Sequence, residues 1–218
     1  MSTSSTSSVV RAALAGRRLL EHPFYRRWEA GELSMGELAG YAAQYRHFEG
    51  YLPGFLTALV ASLPEGPGRD LVAANLADEL GDPVPHVELF DRFARAVGAC
   101  ERAAPSPAMS DLLGTHDDLL LRGALHGLAG FLAYECQAAE LAWVKADGLE
   151  NNYGLDQDAV SFWAHHAEVD TRHGEWAQKA LDSLDWGPEA LQPSVRRAAD
   201  GWWGFLDERE LARPLSGA

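Results

Sequence analysis

An all-α fold of about seven helices, in one domain, is predicted by three features of the sequence. Apolar residues recur at helical spacings of three and four through most of the chain, and no run alternates apolar and polar residues as a half-buried strand would. Helix-starting and helix-breaking residues divide that pattern into segments of ordinary helix length.

Taken in order, residues 1–10 open on "MSTSSTSS" and read as a flexible tail, leaving 11–218 as the single helical domain. "VVRAALAGRRLLEHPFYRRWEAGEL" is helical up to the breakers Pro23 and Gly31. The pattern resumes in "SMGELAGYAAQYRHFEGYLPGFLTALVASL", where Ser34 followed by Glu37 forms a capping box and Pro53 bends a long helix. "GPGRDLVAANLADELG" is the next helix, closed by Gly81, Asp82, Pro83, Val84 and Pro85, and another restarts near His86 and ends near Val97. After a loop at "APSPAMS", with Ser110 as the expected cap, "DLLGTHDDLLLRGALHGLAGFLAYECQAAELAWVKADG" reads as one long helix, apolar on more than one side and therefore central. "NNYG" ends it. Helices from about Asp156 to Leu184 and from Pro188 to Leu211 complete the chain.

Composition narrows the function. Hydrophobic residues at 47% with 23% charged describe a packed globular chain rather than a disordered one. The excess of 32 Asp and Glu over 18 Lys and Arg, a formal charge of -14, disfavours nucleic acid and anionic membrane as partners. The two cysteines, Cys100 and Cys136, form no metal-type pair and give no disulfide framework, so a reducing, cytoplasmic setting is expected. There is no nucleotide-binding glycine loop and no internal repeat.

Chemistry concentrates in "WAHHAEVDTRHGEW". On a helix turning about 100° per residue, His166, Asp170 and His173 fall within about 60° of one face, whereas His165 lies about 100° away and Glu168 and Glu175 point nearly opposite. Such a triplet is either a chelating face or an exposed charged one. Two further places bear on the choice. Glu79 and His86 flank the Gly81–Pro85 breaker, which puts one at the end of a helix and the other at the start of the next. Glu135 stands mid-helix among apolar residues, where an unpaired carboxylate costs several kcal/mol. It needs either an arginine, such as Arg122 or Arg172, or a cation. Together the six residues supply three carboxylates and three imidazoles from separate helices, a donor set suited to a carboxylate-bridged pair of first-row metals. The ferritin-type repeat of Glu-x-x-His is absent.

At these residues, and at the block "EHPFYRRWEAGELSMGELAGYAAQYRHF", the sequence resembles the haem-oxygenase-like diiron oxidases, and within them the CADD-like para-aminobenzoate synthases, over roughly residues 18–180. The "HPFY" part is shared with the wider fold group that includes thiaminase II and pyrroloquinoline-quinone synthase. The resemblance implies a seven-helix haem-oxygenase-like bundle, usually a homodimer, holding two iron ions or an iron and manganese pair on Glu79, His86, Glu135, His166, Asp170 and His173. Dioxygen would be the co-substrate, with an external reductant. In the CADD-like branch a tyrosine of the protein itself becomes para-aminobenzoate for folate synthesis. That tyrosine is matched by Tyr25, the tyrosine preceding the middle glutamate ligand by Tyr134, and a candidate amino-donor lysine by Lys145. One departure is Phe162, where that branch has a further tyrosine.

The residues also admit other readings. Tyr25 can be a core aromatic with its hydroxyl at the rim, and Lys145 a surface lysine. Cys136 reads as a small buried apolar residue, and Trp202 and Trp203 as core or dimer-face residues. The competing activities are an N-oxygenase or C–C-cleaving oxidase acting on a free amino-acid-like substrate, a metal-free thiaminase-II-like hydrolase using Cys136, and a binding protein without catalysis.

Overall fold

The computed structural model describes residues 5–81 and 84–213. Among them are nine α-helices and no strand: α1 Thr6–Ala13, α2 Pro23–Glu29, α3 Met35–Ser62, α4 Pro67–Leu80, α5 His86–Ala96, α6 Pro107–Leu121, α7 Ala124–Asn151, α8 Gln157–Asp182 and α9 Pro188–Leu211, with one 3-10 turn at Leu19–Glu21. No helix among these residues is long and apolar enough to cross a membrane.

The all-α prediction holds, and the helix count rises from about seven to nine for local reasons. Part of the expected tail is helical, because Ser5 caps α1 by accepting from Ser8 N, and Thr6, Val9, Val10 and Ala13 are buried. Residues 1–4 of that tail lie outside the described residues, as do Asp82 and Pro83 of the breaker. The first long predicted helix is interrupted between Ala13 and Pro23, where Gly16 takes a positive φ of 66°. The long central helix divides at Gly123, whose φ of 120° is open to glycine, and the cap of α6 is Ser106 rather than Ser110. The Ser34–Glu37 capping box is present in full.

Helices α7 and α8 pack along each other at the centre, with α3, α4, α5 and α9 around them. Gly174 permits their closest approach: a Cβ there would stand 3.0 Å from the Glu135 carbonyl oxygen. Gly81 has a different duty. Its φ is 65°, and a Cβ would lie 2.0 Å from the Val84 carbonyl, so only glycine turns the chain from α4 into α5 at this point. That turn carries Glu79 and His86 to the same side of the bundle.

The core is rich in aromatic rings, including Tyr25, Trp28, Tyr41, Tyr45, Phe90, Phe93, Trp163 and Trp202. His116 is buried among them, edge-on to Phe55, with no partner for Nε2. Burial alone lowers its pKa from 6.5 to about 4. The unfolded chain therefore takes up this proton at a higher pH than the fold does, so the stabilisation is full above pH 6.5 and is lost as pH falls from there to about 4. At about 1.4 kcal/mol per pH unit this amounts to about 3 kcal/mol. His116→Leu is expected to flatten the fall of melting temperature over that interval, and parallel curves for variant and wild type would refute the assignment.

Candidate metal centre

The six predicted ligands converge. Glu79, His86 and His166 form one group and Glu135, Asp170 and His173 another, each with donor atoms within 4.8 Å of one another and every residue buried. They come from the end of α4, the start of α5, the middle of α7 and one face of α8. His173 links the two groups, its Nδ1 being 3.5 Å from Asp170 Oδ1 and 3.7 Å from Glu79 Oε1.

Each imidazole presents one nitrogen to this centre and has the other held from outside. His166 Nδ1 donates to the Phe162 carbonyl at 2.8 Å, one helical turn back, which leaves Nε2 for the centre. His173 Nε2 contacts Asp78 Oδ2 at 3.0 Å, and Arg172 holds the same oxygen at 2.6 Å. His86 Nδ1 lies 3.0 Å from Glu79 Oε2, while its Nε2 is 3.1 Å from His165 Nε2. Outer partners of this kind fix the ring orientation and the tautomer of metal-binding histidines.

The donors fit metal ions because without cations they are poorly satisfied. Glu135 Oε2 and His173 Nδ1 are buried and have no hydrogen-bond partner. Arg172, offered by the sequence as a structural answer to Glu135, pairs with Asp78, and Arg122 is exposed. Burial, with Asp170 nearby, pushes the Glu135 carboxyl well above the usual range. For His173, burial acts to lower the pKa, but Asp170, Glu135 and Asp78 together raise it to about 9. Burial would also raise Glu79, yet the bond from His86 and the charges of His166 and His173 bring it below its ordinary value. Protons thus occupy part of the charge deficit that divalent cations would fill.

A narrow cavity beside the centre is lined by Tyr45, Glu49, Tyr134, Phe162 and Trp163 as well as by Glu79, Glu135, His166 and Asp170. Glu49 is a fourth buried carboxylate that the sequence reading missed; burial, Glu79 and Asp170 hold its carboxyl well above the usual range. The sequence signal for it was slight, one acidic residue in a helix that also carries Glu37, Arg46 and His47. Phe162 is buried with its ring centroid 4.1 Å from that of His166, so at this place the cavity has no phenol.

Beyond the cavity lies an aromatic cage. The Tyr25 and Tyr41 hydroxyls are 2.9 Å apart, and those of Tyr45 and Tyr134 are 2.6 Å apart. Lys145 Nζ donates to Tyr41 Oη at 2.9 Å and sits 3.9 Å from the Trp163 ring centroid and 4.8 Å from that of Tyr25. Lys145 is 1% exposed, which corrects the surface reading: its side chain lies in the core against the Trp163 and Tyr25 rings. Burial drives its pKa well down, against the opposing charges of Glu49 and Asp170. Tyr25 is also 1% exposed, so its hydroxyl is internal rather than at a rim. Tyr41 and Tyr45, one turn apart on α3, went unread because an apolar helix gives no sign of which side faces a site.

Cys136 also departs from expectation. It is exposed rather than buried, in a groove with Val10, Arg18 and Leu132 away from the ligands. Desolvation by the chain packed around the sulfur and adjacent Glu135 push its thiol up to about 12, and the side chain opens on this groove rather than on the cavity beside the six donors, the wrong place for a hydrolase nucleophile acting there. Trp202 packs in the core, stacked on Tyr134 with centroids 4.4 Å apart, and Trp203 is half-buried beneath Arg17.

Residues 39–203 match the family described as iron-containing redox enzymes. The chain is similar to the 4-aminobenzoate synthase of Nitrosomonas europaea, with 34% identity over 95% of this chain and 92% of that one. Among solved structures it is similar to a CADD-like protein of unknown function from Nostoc punctiforme, with a TM-score of 0.79 at 18% identity, covering 95% of this chain and 96% of the other. A TenA homologue from Pseudomonas syringae gives a TM-score of 0.80 at 15% identity, over 94% and 92% of the two chains. At those identities the structural likenesses speak for the fold.

Proposed function

The chain belongs to the family of iron-containing redox enzymes with the haem-oxygenase-like fold, and from that membership we propose that it is a non-haem dimetal oxygenase forming 4-aminobenzoate from its own Tyr25. The observation that carries this reading is the pair of facing three-donor groups, Glu79, His86, His166 and Glu135, Asp170, His173, next to a caged Tyr25 and Lys145. These groups would hold two iron ions, or one iron and one manganese. When bound, the metals supply the reduction of dioxygen, with electrons from an external reductant.

The remaining chemistry falls to the cage. A tyrosine ring and its β-carbon contain the seven carbons of aminobenzoate, so the Cα–Cβ bond must break, the β-carbon must be oxidised to a carboxylate, and nitrogen must replace the phenolic oxygen. Lys145, whose pKa burial drives well below that of a free lysine, is the amine within reach of the Tyr25 ring. Tyr41 lies between them as a hydrogen-bond partner of both. The Tyr45–Tyr134 pair extends the line of phenols to the cavity at the ligands, a route along which oxidising equivalents and protons can pass without opening the core to water. Phe162 takes no part in that route, which here runs through α3 and α7. A cytoplasmic homodimer belongs to the same reading and rests on composition and resemblance.

The test is anaerobic loading with ferrous iron, addition of reductant, exposure to air, and analysis of both small molecules and the protein. One 4-aminobenzoate per chain at most, together with a mass change mapped to the peptide holding Tyr25, is the expected result. Tyr25→Phe should bind metal normally and release no product. Repeated turnover with Tyr25 intact would instead favour an oxygenase acting on a free amino-acid-like substrate.

A further inference from the structure

We infer that His165 is a positioning residue for His86 and makes the metal position at Glu79, His86 and His166 the more weakly held of the two. The inference rests on the metal-centre reading above. His86 Nδ1 faces Glu79 across 3.0 Å, so Nδ1 is the nitrogen offered to a cation. Once that lone pair is donated, the single proton of a neutral imidazole must sit on Nε2. The acceptor there is His165 Nε2, 3.1 Å away with the rings edge to face and their centroids 4.8 Å apart. His165 therefore keeps its own proton on Nδ1, turned from His86.

The three ligand histidines are thus anchored unequally. A backbone carbonyl holds His166 and cannot move without unwinding α8. A carboxylate held by Arg172 orients His173. His86 depends on an exposed side chain that has no other hydrogen-bond partner among the described residues. That side chain also lines, with Asp78, Gly81, Val84, Leu89 and His86 itself, a cleft of about 360 Å³ open to solvent. Of the two groups, only the one containing His86 contributes a ligand to the wall of this cleft. The Glu79–His86–His166 position is consequently the one that fills and empties through it, while the Glu135–Asp170–His173 position lies behind.

Anaerobic titration of the whole protein with cobalt(II), followed by absorption and by native mass spectrometry, separates the two positions. Wild type is expected to bind two ions in steps of unequal affinity. His165→Ala should leave the tight step unchanged and weaken the other about 10- to 100-fold, the usual effect of losing an outer partner. His165→Gln, whose side-chain carbonyl can accept from Nε2–H, should restore most of that loss. Asp78→Asn should instead weaken the tight step. A His165→Ala protein that titrates like wild type, or one in which both steps shift equally, overturns the inference while leaving the metal centre standing. A wild-type protein that takes up no metal overturns both.

Discussion

Glu135→Leu is expected to stabilise the metal-free protein while abolishing the proposed oxygen-dependent activity. Glu135 is buried in α7 with Oε2 unpartnered, and burial, with Asp170 nearby, pushes its carboxyl well above the usual range. An unsatisfied buried polar group costs about 1–3 kcal/mol, and a leucine of similar size removes that cost. For a chain of this length the change corresponds to roughly 2–4 °C in melting temperature per kcal/mol. With metal the order reverses, because wild type gains the binding free energy of an ion at the Glu135, Asp170 and His173 group and the variant does not. The measurement is a melting curve for each protein with and without ferrous iron under anaerobic conditions, alongside metal content. A metal-free variant several degrees less stable than wild type would mean that Glu135 serves the packing of α7 rather than a cation. Loss of activity with both metal ions retained would instead move Glu135 from ligand to substrate contact.

What the sequence disclosed and what it hid divide along a physical line. His166, Asp170 and His173 were legible because one helix sets their mutual angles. Glu79 and His86 were legible because a breaker run between two amphipathic segments leaves few ways to connect them, and Gly81 makes the turn as that run implied. Everything that depended on how one helix is rotated against another stayed hidden. Helix α3 is apolar around much of its circumference, so nothing local marked Tyr41, Tyr45 and Glu49 as the side facing the centre. Asp78 looked like any exposed acid at a helix end until α8 brought His173 and Arg172 to it. The same cause explains the misread Cys136: one residue from Glu135 on α7, it faces the groove under α1, a helix that begins inside the expected tail. Segment boundaries failed where glycine decided them, at Gly16 and Gly123, since a positive φ has no pattern in the apolar residues around it.

Lys145→Met should leave folding and metal uptake intact and eliminate 4-aminobenzoate. A lysine 1% exposed among Tyr25, Tyr41, Tyr45 and Trp163, with a depressed pKa, brings a polar amine into an aromatic core for one hydrogen bond, to Tyr41 at 2.9 Å. Methionine fills the same unbranched volume without that amine and makes favourable contacts with rings, so the variant is expected to melt within about 1–2 kcal/mol of wild type. Lys145→Arg is the opposing control: guanidinium stays charged in a site that disfavours charge, and destabilisation of several kcal/mol is expected. Stability and chemistry are then separable at one position. Because the amine and the ring are proposed to come from the same chain, the decisive form of the experiment labels the protein rather than the solvent. Protein carrying nitrogen-15 only in its lysine side chains should release 4-aminobenzoate bearing the label, whereas unlabelled product would assign the nitrogen to another donor. A Lys145→Met protein that still makes product would leave Lys145 as a cation-free spacer between Trp163 and the tyrosines, and its near-neutral effect on stability would then be its whole role.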